Sequence, residues 1–518
     1  MTPHDTDNIT VTMDPASLAL SIFGTLDICL GYGKRLVELC REIRNLQNDI
    51  AEISLTIQGT WLKNEVQLDL LKRLLKAGSL NPTLGAHYLE ALQRLQKKIS
   101  GAVTGFETVQ KRSTATSRFP QLAWTVYLKH HLERVVSDLE EWQRRFDPSW
   151  YLITFIANPL VDEQLESKKH EPSAAKLLEF REALRQISSA KSPTNGSVFK
   201  NPAILEQRHH ISGTNDYISC YVDSRREVLV DITSYTCKSA STSRVHVRDL
   251  ARLLRHVDPS TFSLLKCDGV IEVLTDQDTQ FQFIFEVPHG LHSPRPLRNL
   301  LVESQRISLS KRVQLAKQLA RSVMFVHTTG FVHKSIRPET IMIFREGNED
   351  IGPSFLVGFE RVRRAEAQTD LLGDLEWERN LYRHPVRQGL WSEEAFIMQH
   401  DIYSLGVCLL EMALWESFVR NDNIGITAPW SELAIHDAIL DKDARHGGFA
   451  MKKELVAMAK NRLPAMVGDQ YTNIVLACLC CLDGVDDNIF RDVKDNDDIV
   501  IGVRFIENVL VKLEEMHI

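Results

Sequence analysis

The stretch from Phe331 to Phe344, FVHKSIRPETIMIF, restricts the fold of this chain more than any other part of the sequence. His333 opens a short polar loop, and the apolar run Ile341 to Phe344 that closes it has the composition of a buried strand. Ser335 and Thr340 are the two residues with hydroxyl side chains in this loop. A serine hydroxyl is not a general base near neutral pH, and a threonine is a weak metal ligand. The stretch therefore predicts a framed loop with little reactive chemistry.

This stretch resembles the catalytic loop of protein kinases. In that family an Asp accepts the substrate hydroxyl proton and an Asn holds magnesium. The resemblance keeps His333 and the Pro-Glu pair at 338–339, but puts Ser335 at the Asp position and Thr340 at the Asn position. The resemblance implies that the scaffold is present and that the reaction is not.

The flanking segments resemble the same family. Gly358-Phe359-Glu360 stands where a kinase has Asp-Phe-Gly, so Phe359 is kept and Gly358 replaces the metal-binding Asp. Asp401 begins an apolar run that resembles the buried central helix of the larger kinase lobe, and the resemblance implies that Asp401 braces the loop backbone. Pro385 matches the end of the activation segment, but Val386 replaces the Glu that would anchor it.

The nucleotide-binding side is equally incomplete. Between residues 205 and 235 the only glycine is Gly213, so no glycine-rich phosphate loop is present. The strand-like run from Glu227 to Thr233 contains no Lys, and Thr233 is assigned to the lysine position. The helix-like segment from Val245 to Leu254 contains Asp249 but no Glu. Five chemical parts are missing independently, which favours a pseudokinase that needs no cofactor.

An active protein kinase with an unusual site is the alternative hypothesis. Such an enzyme would transfer phosphate from ATP to protein hydroxyls, and Glu360 or Asp231 would have to replace the lost metal ligand or lysine partner. The sequence shows no base for this reaction, and loss of base and metal site costs several orders of magnitude in rate.

The first 150 residues predict long helices. Asp14-Pro15 is a helix start signal, with Asp at the N-cap and Pro in the first turn, and the apolar run Ala16 to Leu30 follows. Apolar residues then recur at spacings of three and four, which predicts a further helix of about six turns. This seam consists of Leu36, Leu39, Ile43, Leu46, Ile50, Ile53 and Ile57. Helical patterns of apolar residues also occur in three later segments, 66–75, 88–109 and 128–146. Several such helices are best buried against one another, so a helical bundle is expected.

Residues 10–190, with the start MDPASLALSIFGTLDICLGYG, resemble the HeLo domain of fungal prion-inhibition and propagation proteins. The resemblance implies a cell-death-associated module whose first helix is released, oligomerises and permeabilises membranes. Only the run Ala16 to Leu30 carries over as the candidate membrane or oligomer helix, and Asp27 departs from a purely apolar anchor. The apolar candidates in it are Leu18, Leu20, Ile22, Phe23 and Leu26.

The predicted architecture is multidomain, an all-α helical bundle followed by an α+β protein-kinase-like bilobal domain. The expected boundaries are a HeLo-like bundle at 1–190, a linker at 191–215 rich in Ser, Pro, Asn and Gly, and a kinase-like domain at 216–518. Its small lobe should reach to about residue 288, and its helical lobe should cover 289–518. A length of 518 residues with 43% hydrophobic content supports two ordinary cores.

The composition also limits the kinds of partner the protein can bind and its location in the cell. A net charge of −7 without a clustered basic face argues against nucleic-acid binding. Nine cysteines without zinc spacing suit a reducing compartment and predict no metal site. The polar N-terminus does not read as a signal peptide. We expect a cytoplasmic protein, peripheral to membranes when activated, that binds protein partners or itself through the bundle.

Overall fold

The computed structural model describes residues 14–43, 48–76, 82–115 and 121–151, parts of 162–185, and most of 198–516. The gaps in that last range are 202–204, 215–217, 224–225, 237–239, 276–277, 304–305, 360–362, 365–371, 375, 392–394, 422–426, 484–489 and 491–497. The chain divides into two compact units, Met1–Leu178 and Glu179–Ile518.

The first unit contains a bundle of four long helices. They are α1 (Pro15–Ile43), α2 (Asn48–Lys76), α3 (Pro82–Ala115) and α4 (Gln121–Tyr151). Helix α1 packs on α2 and α3, and α4 packs on the same two helices. The core contains large side chains that are at most 2% exposed, among them Trp61, Tyr88, Phe106 and Phe146. Tyr88, Phe106 and Phe146 come from the predicted apolar seams, because each seam faces the common core, whereas Trp61 lies between two of the predicted segments.

The beginning of α1 has the predicted cap. The Asp14 Oδ1 accepts hydrogen bonds from the backbone amides of Ala16, at 3.0 Å, and Ser17, at 3.1 Å. The predicted seam from Leu36 to Ile57, however, is not one helix, since α1 ends at Ile43 and α2 begins at Asn48. The spacing of apolar residues continues across this break because both helices bury against the same core.

The second unit begins with a six-stranded sheet in the order β1-β5-β6-β4-β3-β2. The strands are β1 (Phe199–Lys200), β2 (Glu206–His210), β3 (Ile218–Asp223), β4 (Arg226–Thr236), β5 (Cys267–Leu274) and β6 (Asp278–Glu286). All neighbours are antiparallel except β1 and β5. Helix α5 (Ala240–Arg255) packs on β4, β5 and β6.

The sheet extends beyond the predicted range. Strands β1 and β2 fall within residues 191–215, where the Ser, Pro, Asn and Gly content predicts a linker. Short polar strands at a sheet edge carry little hydrophobic signal, because their backbone hydrogen bonds rather than apolar side chains hold them in place.

Helices dominate the rest of this unit. They are α6 (Pro259–Phe262), α7 (Leu297–Val302), α8 (Leu309–Thr328), α9 (Trp377–Asn380), α10 (Met398–Leu414), α11 (His436–Ile439), α12 (Ala444–Leu479), α13 (Asp498–Phe505), a π-helix (Ile506–Leu510) and α14 (Val511–Glu514). In the described part of this range nine short strands accompany them, β7 (Leu291–Pro296), β8 (Phe331–Val332), β9 (Ile341–Glu346), β10 (Ser354–Leu356), β11 (Arg363–Arg364), β12 (Leu372–Asp374), β13 (Gly389–Trp391), β14 (Val419–Asn421) and β15 (Thr427–Pro429). Helix α10 is buried along its whole length.

Candidate functional site

The loop after β8 is held by the carboxylate of Asp401 at the start of α10. Asp401 Oδ2 accepts from the His333 backbone amide at 2.7 Å, and Oδ1 accepts from the Lys334 amide at 2.9 Å. The His327 Nε2 lies 3.3 Å from Oδ2. Three donors around one fully buried carboxylate offset its loss of hydration. They also hold Lys334 at a backbone φ of 66°, which L-residues rarely adopt.

The His333 ring links this loop to the segment around Gly358. Its Nδ1 accepts from the Ser335 amide at 3.3 Å, which leaves the proton on Nε2 to donate to the Val357 carbonyl oxygen at 3.1 Å. The ring also lies 4.9 Å from the Phe359 ring, centroid to centroid. Phe359 in turn contacts the aromatic face of β6, with ring centroids 6.1 Å from Phe285. His333 and Phe359 therefore act as packing and positioning groups here.

The hydroxyls of Ser335 and Thr340 are used within the loop itself. Thr340 Oγ1 lies 2.9 Å from the carbonyl oxygens of both Ser335 and Arg337, and it accepts from the Arg337 amide at 3.2 Å. Ser335 Oγ accepts from the Arg337 guanidinium. Both side chains are buried. Neither hydroxyl is presented as a free base or ligand.

Gly358 and Thr340, which occupy the two metal positions of the resemblance, are in direct steric contact. Gly358 has φ +82°, and a Cβ at this residue would lie 2.7 Å from the Thr340 Cβ and closer still to the Thr340 methyl group. A methyl group thus fills the space beside Gly358. Within the described part of the chain, no three His, Cys, Asp or Glu side chains gather in a metal-binding arrangement. Glu360, the substitute ligand of the alternative hypothesis, lies outside the described residues.

Asp231 on β4, which the alternative hypothesis names as a substitute metal ligand or lysine partner, makes a contact that the sequence did not predict. Its Oδ2 accepts hydrogen bonds from the backbone amides of Gly358 and Phe359, both at 2.8 Å, and the residue is 1% exposed. Thr233, the residue assigned to the lysine position, lies on the same strand face and is 2% exposed. The sequence feature that could have revealed this contact is an Asp inside the apolar run Val228 to Ile232. Strands disfavour Asp and protein cores disfavour charge, so an Asp in such a run indicates a special role.

The segment that ends at Pro385 is anchored without the missing glutamate. Arg298 on α7 donates to Glu411 Oε1 at 3.0 Å, to the Tyr382 hydroxyl at 2.7 Å and to Glu339 Oε1 at 2.9 Å. The Tyr382 hydroxyl donates to Glu411 Oε2 at 2.7 Å. We name Arg298, Glu339, Tyr382 and Glu411 the Arg298 cluster. It ties the segment to α7 and α10 where Val386 cannot.

Burial and charge act in opposite directions within the Arg298 cluster. Burial raises the pKa of the Glu411 carboxyl above its usual range, although Arg298 opposes the rise. For Glu339 burial also favours the neutral form, but the two nearby guanidinium groups of Arg298 and Arg337 outweigh it and lower the pKa. The cluster is thus a buried polar junction that depends on the arginine at its centre.

In the bundle, α1 presents its predicted candidates to two different environments. Ile22 and Leu26 are at most 1% exposed and Leu18 is 8% exposed, so these three face the core. Phe23 is half-buried, whereas Leu20 is 71% exposed. The predicted run Ala16 to Leu30 is therefore the amphipathic first half of a longer helix.

Asp27, the charged residue within the otherwise apolar run Ala16 to Leu30, forms an ion pair with Lys72 of α2. Among the described residues α1 is the one helix long and apolar enough to cross a membrane, a test that core helices of soluble proteins also pass. Its buried positions show the helix seated in the bundle.

Comparison with known proteins adds partial similarities. No family model matches the chain. The mitogen-activated protein kinase p38b of Drosophila melanogaster is 26% identical over 180 residues, which are 34% of this chain and 44% of the fly protein. A probable serine/threonine-protein kinase of Dictyostelium discoideum is 23% identical over 152 residues, 29% of this chain and 8% of that protein. Part of this chain is therefore similar to protein kinases. The match covers less than half of either relative.

The site and the comparisons agree at this coarse level. The chain combines a helical bundle with a later mixed α/β region that is compatible with a kinase-like domain. In that region His333, Phe359 and Asp401 form one packed unit, while the positions that the kinase resemblance assigns to base and metal ligands hold serine, threonine and glycine.

Proposed function

We propose that this protein is a regulatory pseudokinase whose N-terminal bundle is an effector of the fungal cell-death, or heterokaryon-incompatibility, type. The observation that carries the first part is the contact between Gly358 and Thr340. It leaves a methyl group where magnesium would need oxygen ligands. The proposed role requires no cofactor.

The carboxylate of Asp231 supports the same proposal. It lies against the amides of Gly358 and Phe359, on the strand where a kinase carries its phosphate-binding lysine. A carboxylate repels the phosphates that a lysine attracts, and the repulsion is strong at low dielectric. A carboxylate on this strand, together with the absence of a lysine, disfavours both nucleotide binding and phosphoryl transfer.

The effector part rests on the HeLo resemblance and on the two-sided character of α1. Release of α1 would expose Leu18, Ile22 and Leu26 together with the already exposed Leu20, and an apolar helix freed in this way binds membranes or like copies. We propose a cytoplasmic protein that associates with itself or with protein partners through the bundle, contacts membranes on activation and does not bind nucleic acid.

A thermal-shift assay of the full chain with ATP, with and without magnesium, tests the pseudokinase proposal. We expect no magnesium-dependent shift and no transfer of labelled phosphate to generic substrates or to the chain itself. A metal-dependent stabilisation of several degrees would instead support the active kinase. So would autophosphorylation that disappears in the Ser335→Ala variant.

A further inference from the structure

Strand β1 is an isolated addition to the edge of the sheet. It pairs in parallel with β5, with Phe199 opposite Val270 and Lys200 opposite Ile271. The Val270 amide donates to the Val198 carbonyl oxygen at 2.8 Å. Without this short strand, β5 would be an edge strand with free backbone groups, which is the template for pairing with another extended segment.

Three consecutive side chains of this segment fit three different features of the edge. Val198 is 5% exposed. The guanidinium of Arg244, on α5, lies 4.6 Å from the centre of the Phe199 ring. Lys200 Nζ lies 2.5 Å from Asp268 Oδ2. The edge thus accommodates an apolar residue, an aromatic ring and a cation at three successive positions. Extended peptides are recognised at sheet edges in this way, by backbone pairing and by separate sites for their side chains.

Gly269 shapes the edge for the lysine. A Cβ at this residue would lie 2.8 Å from the Lys200 Cε, so the absence of a side chain leaves room for the lysine stem. The pairing of β5 with β6 shifts register between Cys267 and Gly269, which marks a β-bulge at the same point. The β-bulge, Gly269 and the Asp268 carboxylate together form a binding position for a lysine side chain beside β5.

We propose that the β5 edge is a binding site for an extended apolar–aromatic–lysine segment, occupied by this chain's own Val198–Lys200 as a displaceable strand. The strand follows the first unit, which ends at Leu178, and precedes β2, which begins at Glu206. This site is independent of whether the chain transfers phosphate.

Fluorescence anisotropy with a labelled synthetic peptide of residues 194–204 tests the site. The full-length Phe199→Ala/Lys200→Glu variant, whose own strand is weakened, should bind the peptide at least tenfold more tightly than the wild-type chain. Changing the exposed Lys266 to Glu in that variant is the matched charge control and should leave binding unchanged. Binding no tighter than to a scrambled peptide of equal composition would overturn the proposal.

A charge swap and an exchange measurement give independent readouts. Asp268→Lys in the variant should abolish binding of the natural peptide, and a peptide carrying Lys200→Glu should restore it; failure to restore binding in a chain that still melts cooperatively counts against the site. Without any peptide, the Val270 amide should exchange hydrogen at least tenfold faster in the Phe199→Ala/Lys200→Glu variant, with the amides of β6 unchanged. Equal exchange at Val270 would show that β1 does not cover the edge.

Discussion

Gly358 and Thr340 depend on each other sterically. The glycine combines a left-handed backbone with a Thr340 methyl group in the space of its missing Cβ. Restoring a side chain at 358 therefore requires both backbone strain and displacement of Thr340. A side chain at 358 and the present side chain at 340 therefore cannot both be accommodated without a shift of the loop.

Gly358→Ala should lower the free energy of unfolding by about 1–3 kcal/mol beyond the cost of a left-handed alanine alone, because it overpacks against Thr340. Gly290→Ala is the matched control, since Gly290 has φ +85° and no atom within 4 Å of its Cβ position. Urea melts of the two variants measure the difference. Equal destabilisation of both would show that the Thr340 contact carries no energy.

The sequence allows predictions about residues whose neighbours are fixed by chain order, but not about contacts that tertiary packing creates. The assignment of Ser335, Thr340 and Gly358 to the base and metal positions comes from the motif order of the kinase resemblance and stays a prediction. The bond from Asp231 to the Gly358 amide joins residues 127 positions apart, and no local pattern predicts it. Thr233 stays a prediction for the lysine position.

At the scale of elements, the Arg298 cluster joins α7, the loop of Glu339, the segment of Tyr382 and helix α10. Buried ion pairs of this kind add little net stability when complete, but removing one partner leaves the others buried without compensation. Arg298 was not predictable from the sequence, because its partners come from separate segments and only packing brings them together.

Arg298→Ala should destabilise the chain by about 3–5 kcal/mol, because it strands the carboxylate of Glu411 in the core. Arg295→Ala, three residues earlier, removes a solvent-exposed pair with Glu303 and should cost less than about 1 kcal/mol. Denaturant unfolding distinguishes the two. If Arg298→Ala costs no more than its control, the cluster does not anchor these elements.

Two buried histidines, His384 and His400, predict that the protein is sensitive to acid. Burial, assisted by the Lys452 ammonium, lowers the pKa of His384 to about 3, and burial with His384 and Arg387 lowers that of His400. The folded pKa of His384 lies below the unfolded 6.5, so the unfolded state binds more protons below that pH. Stability must therefore fall as the pH falls through this window.

Between pH 7 and pH 5, His384 alone should cost about 2 kcal/mol of unfolding free energy. His384→Gln should remove that part of the slope. His446→Gln is the control of opposite sign, because Asp441 raises the pKa of the exposed His446 and its contribution favours acid. Unfolding curves at pH 5, 6 and 7 measure both slopes, and an unchanged slope in His384→Gln would contradict the assignment.

At the scale of the whole molecule, the helical bundle and the later α/β region could be predicted because apolar spacing and motif order persist over long stretches. The ends of the individual helices and strands were less predictable. The break between α1 and α2 lies inside a continuous apolar seam, and β1 has only two residues. The effector proposal adds that the second unit or its connection restrains α1. Residues 1–190 expressed alone should then be more toxic to a fungal cell than the full chain.

Because Leu20 is exposed and Ile22 is buried, substitutions at these two residues test whether α1 acts by inserting in membranes. Leu20 is 71% exposed and Ile22 is 1% exposed, so Leu20→Glu should leave the bundle folded whereas Ile22→Glu should unfold it. If α1 inserts in membranes, Leu20→Glu should abolish toxicity, because a charge near the bilayer centre costs about 2.5–3.5 kcal/mol. Leu55→Glu, at a position 47% exposed on α2, is the matched control and should stay toxic. Circular dichroism establishes folding, and a folded Leu20→Glu domain as toxic as its parent would leave only a helical interaction module.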